Sequence, residues 1–136
     1  MIAAAEEMLG AVGFATMVGR PGDTCVAMNI GDLPIIAPAH LLSLMESATV
    51  AALTEFLEPG ETTHLMTSGM EVIEDAPMGV ELRSSARLVE IEGREYVFIC
   101  DIYDGERHIA RGRIKRKAVE RVSFLARTAA RELISE

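Results

Sequence analysis

Residues 38–57, PAHLLSLMESATVAALTEFL, constrain the fold more than any other stretch. They read as a helix that is apolar almost all round, closed by the breaker sequence EPGE at 58–61. Pro38 suits the first helical turn, where its missing N–H would have no partner anyway. A helix of this kind has to be wrapped by the rest of the chain. One residue resists that reading. Glu46 is the only formal charge at pH 7 between Ala37 and Thr54. A carboxylate buried without a partner costs several kcal/mol.

The chain beyond the helix supplies the wrapping. Segments 63–75, 80–91, 95–103 and 107–117 carry strand signals separated by APMG, EGR and DG turns. In 80–91, Val80, Leu82, Ala86 and Leu88 share one face, with Glu81, Arg83 and Arg87 on the other. Asp104–Gly105 reads as a two-residue hairpin loop. Ahead of the helix, GFATMVG (13–19) and TCVAMNIG (24–31) read as short strands either side of RPGD. Residues 1–12 read as a loose end or short helix. Residues 118–136 read as an amphipathic helix with Val122, Leu125, Ala129 and Leu133 on one stripe. The chain is expected to form one α+β domain over 1–136, an antiparallel sheet curled round the long helix.

Composition narrows the function classes. The net charge of −8 argues against non-specific binding to nucleic acid or an anionic membrane. Aromatic residues make up 4% with no Trp, which leaves little for base stacking. MIAAAEEMLG lacks a basic signal-peptide start, and no apolar run is long enough to span a bilayer. Cys25 and Cys100 stand apart without a CxxC, so two packed free thiols in a reducing, cytoplasmic setting are expected.

This order of elements, with SLMESATVAAL, FLEPGE, APMGVELRSSARLVEIEGREYVFICDIYDG and IARGRIKR, resembles the hotdog fold. More narrowly it resembles the fluoroacetyl-CoA thioesterase-like family, over about residues 15–117. Members of that family cleave acyl-CoA thioesters, with no metal. By that resemblance the catalytic set is a Thr just before the helix, a Glu within it and a His late in the next strand. The Glu falls on Glu46. The Thr position falls on Pro38, or on Ala37 if the loop slips by one. The His position falls on Val72.

Each candidate carries a plainer reading too. Burial favours a carboxylate's neutral form and suits it to general-base work, but a Glu tied to backbone groups at a subunit interface looks the same in sequence. Ser43 and Thr49, three residues either side of Glu46, lie on its side of the helix and are expected to orient it. His64 and Val72 share strand parity, yet eight residues put them ~26 Å apart, so His64 is more readily a surface histidine. His40 points away from Glu46 and suits a cap for the first helical turn. Glu71, Glu74 and Asp75 lack the His or Cys a metal site would want. Met45, Met66 and Met70 suit a soft core or an adaptable pocket. Arg111, Arg113, Lys115 and Lys117 share one strand face, fit either for solvent or for the phosphates of coenzyme A.

Two functions therefore compete. One is a hotdog acyl-CoA thioesterase with Glu46 as general base or nucleophile and Pro38, Val72, Ser43, Thr49 and His64 around the substrate, needing no cofactor beyond the coenzyme A of the substrate. The other is a non-catalytic module binding acyl-CoA or another apolar ligand, because Pro38 and Val72 replace hydroxyl and imidazole. A dehydratase would want a His–acid pair, which the sequence does not present. An exposed sheet edge would be covered by a second copy, giving a homodimer or a dimer of dimers.

Overall fold

A computed structural model describes residues 5–135. The elements run α1 (Ala5–Met8), β1 (Val12–Val18), α2 (Pro38–Leu53), β2 (Glu61–Val72), β3 (Glu81–Glu92), β4 (Glu95–Asp104), β5 (Arg107–Glu120) and α3 (Arg121–Ser135). The five strands form one antiparallel sheet in the order β1-β3-β4-β5-β2, leaving β1 and β2 as edges. The sheet holds α2 against its inner face. This is the α+β hotdog architecture the sequence implied, although residues 1–4 and 136 lie outside the described set.

The alternation seen in sequence sets which residues face α2. Leu82, Ser84, Ala86 and Leu88 of β3 are buried, as are Phe98, Cys100 and Ile102 of β4 and Ala110, Gly112 and Ile114 of β5. They meet Leu41, Leu44, Met45, Ala48, Ala52 and Leu53 of α2. Two glycines make the close approaches. A Cβ on Gly13 of β1 would lie 2.2 Å from the Ala48 carbonyl oxygen. A Cβ on Gly112 would lie 2.6 Å from the sulfur of Met45. β1 therefore meets the α2 backbone at a spacing only glycine permits, whereas at Gly112 the near helix atom belongs to the flexible end of Met45.

Four local expectations change. First, α2 is shorter than 38–57, ending at Leu53 with a 3₁₀ turn over Thr54–Phe56. It is also not wrapped all round: Ala39, Ser43, Ser47, Val50, Ala51 and Thr54 form an exposed stripe at helical spacing.

Second, residues 24–31 are not a strand. Thr24 makes a single bridge to Ile36. The chain then turns, with Met28 N–H donating to Thr24 O and Ile30 N–H to Cys25 O. Asn29 (φ 59°) and Gly31 (φ 110°) hold the left-handed backbone this requires.

Third, the last strand runs on to Glu120, because Ala118 and Val119 pair with Thr63 and Thr62 and are buried. α3 starts only at Arg121. Fourth, the last hairpin loop is Gly105–Glu106, one residue later than expected. Asp104 pairs with Arg107, and Gly105 takes the positive φ of 58°.

Candidate active site around Glu46

Glu46 is placed by α2, and its partner by β5. Inner residues of β5 alternate as Ala110, Gly112, Ile114, Arg116 and Ala118, all buried. Arg116 is the one cation among them. Its Nη1 donates to Glu46 Oε1 at 3.2 Å. Its Nε donates to Thr63 Oγ1 at 2.9 Å and its Nη2 to the Thr63 carbonyl at 3.0 Å. The guanidinium side chain is 8% exposed and the Glu46 side chain 34%. So Glu46 is not an isolated buried charge. It sits at the mouth of the sheet, charge-compensated, with part of its carboxylate open to solvent.

Arg116 was legible in principle. The inner face of 110–118 holds a single charged residue, just as the middle of the helix does. Two lone charges on facing apolar surfaces point to each other.

The other candidates fall into place differently. Thr49 is fully buried, but its hydroxyl donates to the Glu46 backbone carbonyl at 2.6 Å. It braces the helix and does not orient the carboxylate. Ser43 lies on the exposed stripe of α2. Ala37, the N-cap position, is buried, and its N–H donates to Asp23 O at 2.9 Å; Pro38 follows as the first helical residue. Pro38 and Glu46 are eight residues apart on one helix, ~12 Å along its axis. His40 lies 3.5 Å from the Asp23 carboxylate, an ion pair only if protonated, instead of capping the first turn with its side chain.

The shared parity of His64 and Val72 does not hold. The β2–β5 register shifts between Leu65 and Thr67, so Met66 forms a bulge. On one side of it His64 pairs with Lys117, an outer-face residue. On the other side Val72 pairs with Ala110, an inner-face residue. His64 therefore faces away from Glu46, with its ring 5.1 Å from that of Phe124 in α3. Val72 keeps the Glu46 side of the sheet but stands at the far end of β2, 43% exposed. From Ala110 to Arg116 is six residues, ~20 Å along the strand. Within one chain, then, the structure joins Glu46 to Arg116 and Thr63, and does not bring Pro38, Val72 or His64 to it.

The remaining charges are spread over the surface. Arg111 lies 3.8 Å from Asp101 and Arg113 lies 3.3 Å from Glu90, so the outer basic stripe is partly compensated. Glu74 pairs with Arg107 at 2.8 Å. No group of His, Cys, Asp and Glu suited to a metal occurs among the described residues. Met45 is core, Met70 packs against it and Met66 is exposed. Cys25 and Cys100 are buried free thiols. A cavity of about 270 Å³ lies on the outer face, lined by Phe14, Arg83, Ser85, Tyr103 and Gly105, and Glu46 is not part of it. No helix among the described residues is long and apolar enough to cross a membrane.

Comparison with known proteins agrees with this architecture. Residues 20–122 match the profile of the family described as FlK, fluoroacetyl-CoA-specific thioesterase. No curated protein matches the chain. Among solved structures, a threonine-to-serine variant of the fluoroacetyl-CoA thioesterase FlK in complex with acetyl-CoA superposes with TM-score 0.81 at 23% identity, over 90% of this chain and 97% of that one. A thioesterase superfamily member from Thermus thermophilus gives 0.83 at 23% identity, over 94% and 96%. A hot-dog-like protein from Thermanaerovibrio acidaminovorans gives 0.85 at 20% identity, over 95% and 97%. The likenesses to these structures carry the fold, and the profile match over residues 20–122 carries the family: the chain belongs to the fluoroacetyl-CoA-specific thioesterase family.

Proposed function

We propose that the protein hydrolyses a small acyl-CoA thioester with Glu46 as general base on water or as nucleophile. The observation that carries this reading is a partly solvent-open carboxylate fixed by a buried guanidinium on an otherwise apolar helix. As a base, Glu46 would take a proton from water as the water oxygen attacks the thioester carbon. The carbon–sulfur bond then breaks, and the coenzyme A thiolate leaves and takes up a proton. As a nucleophile, the carboxylate would form an acyl anhydride that water then opens. A backbone N–H at the start of α2 suits the developing oxyanion, because that end of a helix favours negative charge.

On this reading the site draws on a second copy. The start of α2 lies ~12 Å along the helix from Glu46. The Val72 end of β2 lies ~20 Å from Arg116 along the strand. Antiparallel pairing of two exposed β2 edges would bring the Val72 end of one chain beside the Thr63–Leu65 end of the other. The exposed stripe of α2 next to that edge would be covered at the same time. A homodimer with two shared sites is the assembly this reading calls for. In it, Pro38 and Val72 approach Glu46 from the other copy, with Ser43 at the rim.

The absence of hydroxyl at Pro38 and imidazole at Val72 favours a second reading, a module that binds acyl-CoA without turning it over. A hydrolysis screen over short, medium and aromatic acyl-CoAs, with coenzyme A ester binding measured in parallel, separates the two. Turnover of at least one ester supports the enzyme. Binding without turnover across the panel supports the module.

A further inference from the structure

α3 is a 15-residue helix that almost nothing in its own chain covers. Phe124 is the exception, half-buried against the ring of His64. The Glu120 carboxylate caps its start, accepting from Ser123 N–H at 2.7 Å and Val122 N–H at 3.3 Å. Phe124 lies roughly 200° round the helix from Val122. Its contact with His64 therefore aims the apolar stripe of Val122, Leu125, Ala126, Ala129 and Leu133 away from the chain. Val122 is 71% exposed, Leu125 57% and Leu133 75%. Such a stripe on a surface helix marks an interaction site.

We infer that this stripe docks on α3 of a second copy, the two helices running antiparallel. Two independent features select the same alignment. The stripe has large residues at its ends and alanines in its middle. Setting Val122 opposite Leu133 puts Ala126 opposite Ala129, so the backbones close at the centre while the large side chains pack at the ends. Charge then agrees. Arg121 and Glu132 lie on the same flank of the stripe, about 20° apart in helical angle and eleven residues apart in sequence. In an antiparallel pair, like flanks face each other. The alignment that matches sizes also brings Arg121 of each copy beside Glu132 of the other, twice by symmetry. A parallel pair would set Val122 on Val122 and leave Arg121 and Glu132 of one copy on the opposite side of the seam from those of the other.

Two helices of ~22 Å bury less than the ~1,200 Å² typical of a specific interface standing alone. The α3 contact is therefore a second interface, joining pairs already built on the β2 edge; that placement rests on the self-association proposed for the shared active site. The assembly would be a dimer of dimers.

The test is sedimentation velocity on the full chain, combined with cysteine cross-linking. Leu125→Asp/Leu133→Asp is expected to halve the wild-type mass, and an unchanged mass overturns the inference. Arg121→Glu is expected to weaken self-association roughly tenfold, and Arg121→Glu/Glu132→Arg to restore it. Loss without restoration overturns the alignment. Under mild oxidation, a mixture of Val122→Cys and Leu133→Cys proteins is expected to give a mixed disulfide that neither gives alone. Cys25 and Cys100, being buried, do not compete. Self-linking by Val122→Cys alone would instead report a parallel pair and overturn the inference. Met66→Glu probes the β2 edge separately. Wild-type mass in that variant would remove the edge contact, while the α3 variants and the mixed disulfide still decide the α3 contact.

Discussion

The guanidinium of Arg116 stands 3.2 Å from the carboxylate of Glu46, and its two other hydrogen bonds go to Thr63 on the neighbouring strand. One side chain thus ties the middle of α2 to β5 and to the exposed edge β2. The partners are unequally buried, so their removal has unequal consequences. Arg116→Ala strips the Thr63 carbonyl and hydroxyl of their donor and empties a packed position. It is expected to cost about 2–3 kcal/mol in urea unfolding. Glu46→Gln keeps an acceptor for Arg116 at a site one-third exposed, and is expected to cost under about 1 kcal/mol. Equal losses would mean the pair does not have this architecture.

Gly13 offers a sharper steric test. Its missing Cβ would lie 2.2 Å from Ala48 O and 2.3 Å from Ala52 N, both helix backbone. Neither can rotate aside. Gly13→Ala is expected to destabilise by about 2–4 kcal/mol, read from the denaturation midpoint. A change under about 0.5 kcal/mol would show that β1 and α2 are not in contact here. Gly105→Ala, strained only by a positive φ in a hairpin loop, should cost less, about 1 kcal/mol.

Burial pushes the Cys100 thiol up to about 12 from its ordinary value of 9.0, with the Asp101 charge adding to the effect. The sign is set by which state holds its proton longer. Between these values the unfolded chain has lost the thiol proton and the folded chain has kept it. Stability from this group is complete below about pH 9 and declines as pH rises toward 12, with a limiting slope near 1.4 kcal/mol per pH unit. Cys100→Ala is expected to remove that component from the alkaline arm of the stability curve, whatever its offset at neutral pH. An identical alkaline slope in wild type and variant would contradict this. Consistently, thiol reagents should label Cys100 only on unfolding.

Glu120 governs the start of α3. Backbone donation from Ser123, and then from Val122, holds its carboxyl below its ordinary value of 4.5. A depressed value means the cap is present above the ordinary carboxylate range and is lost as pH falls through the folded value. Glu120→Ala should therefore fray the first turn at neutral pH, seen as faster proteolysis between residues 121 and 127 and lower helical circular dichroism. Wild type should approach that state only in acid. Equal protection of variant and wild type at pH 7 would show the cap to be immaterial.

Much of the fold could be read from the chain. The turns APMG and EGR and the alternation in 80–91 located β3 and β4 to within a residue, β2 and β5 were placed with ends three residues off, and the apolar run from Pro38 located the central helix. Departures came where a local signal competed with tertiary pairing. Ala118 and Val119 fit a helix by pattern, but β2 offers them strand partners. TCVAMNIG fits a strand by composition, but its backbone closes on itself through turns. The Met66 bulge changes the face of everything after it, and parity counting across it inverted the relation of His64 to Val72. At the site, Glu46 was legible as a lone charge on an apolar face. Arg116 carried the same signature on its strand, but was masked by the run of basic residues around it.

The most direct test of the central claim is kcat for the best acyl-CoA substrate in wild type and in Glu46→Gln, on proteins shown to bind the same ester. A carboxylate acting as base or nucleophile should leave the variant binding the ester normally and turning it over at least about 100-fold more slowly. Equal turnover in the two proteins would remove Glu46 from the chemistry.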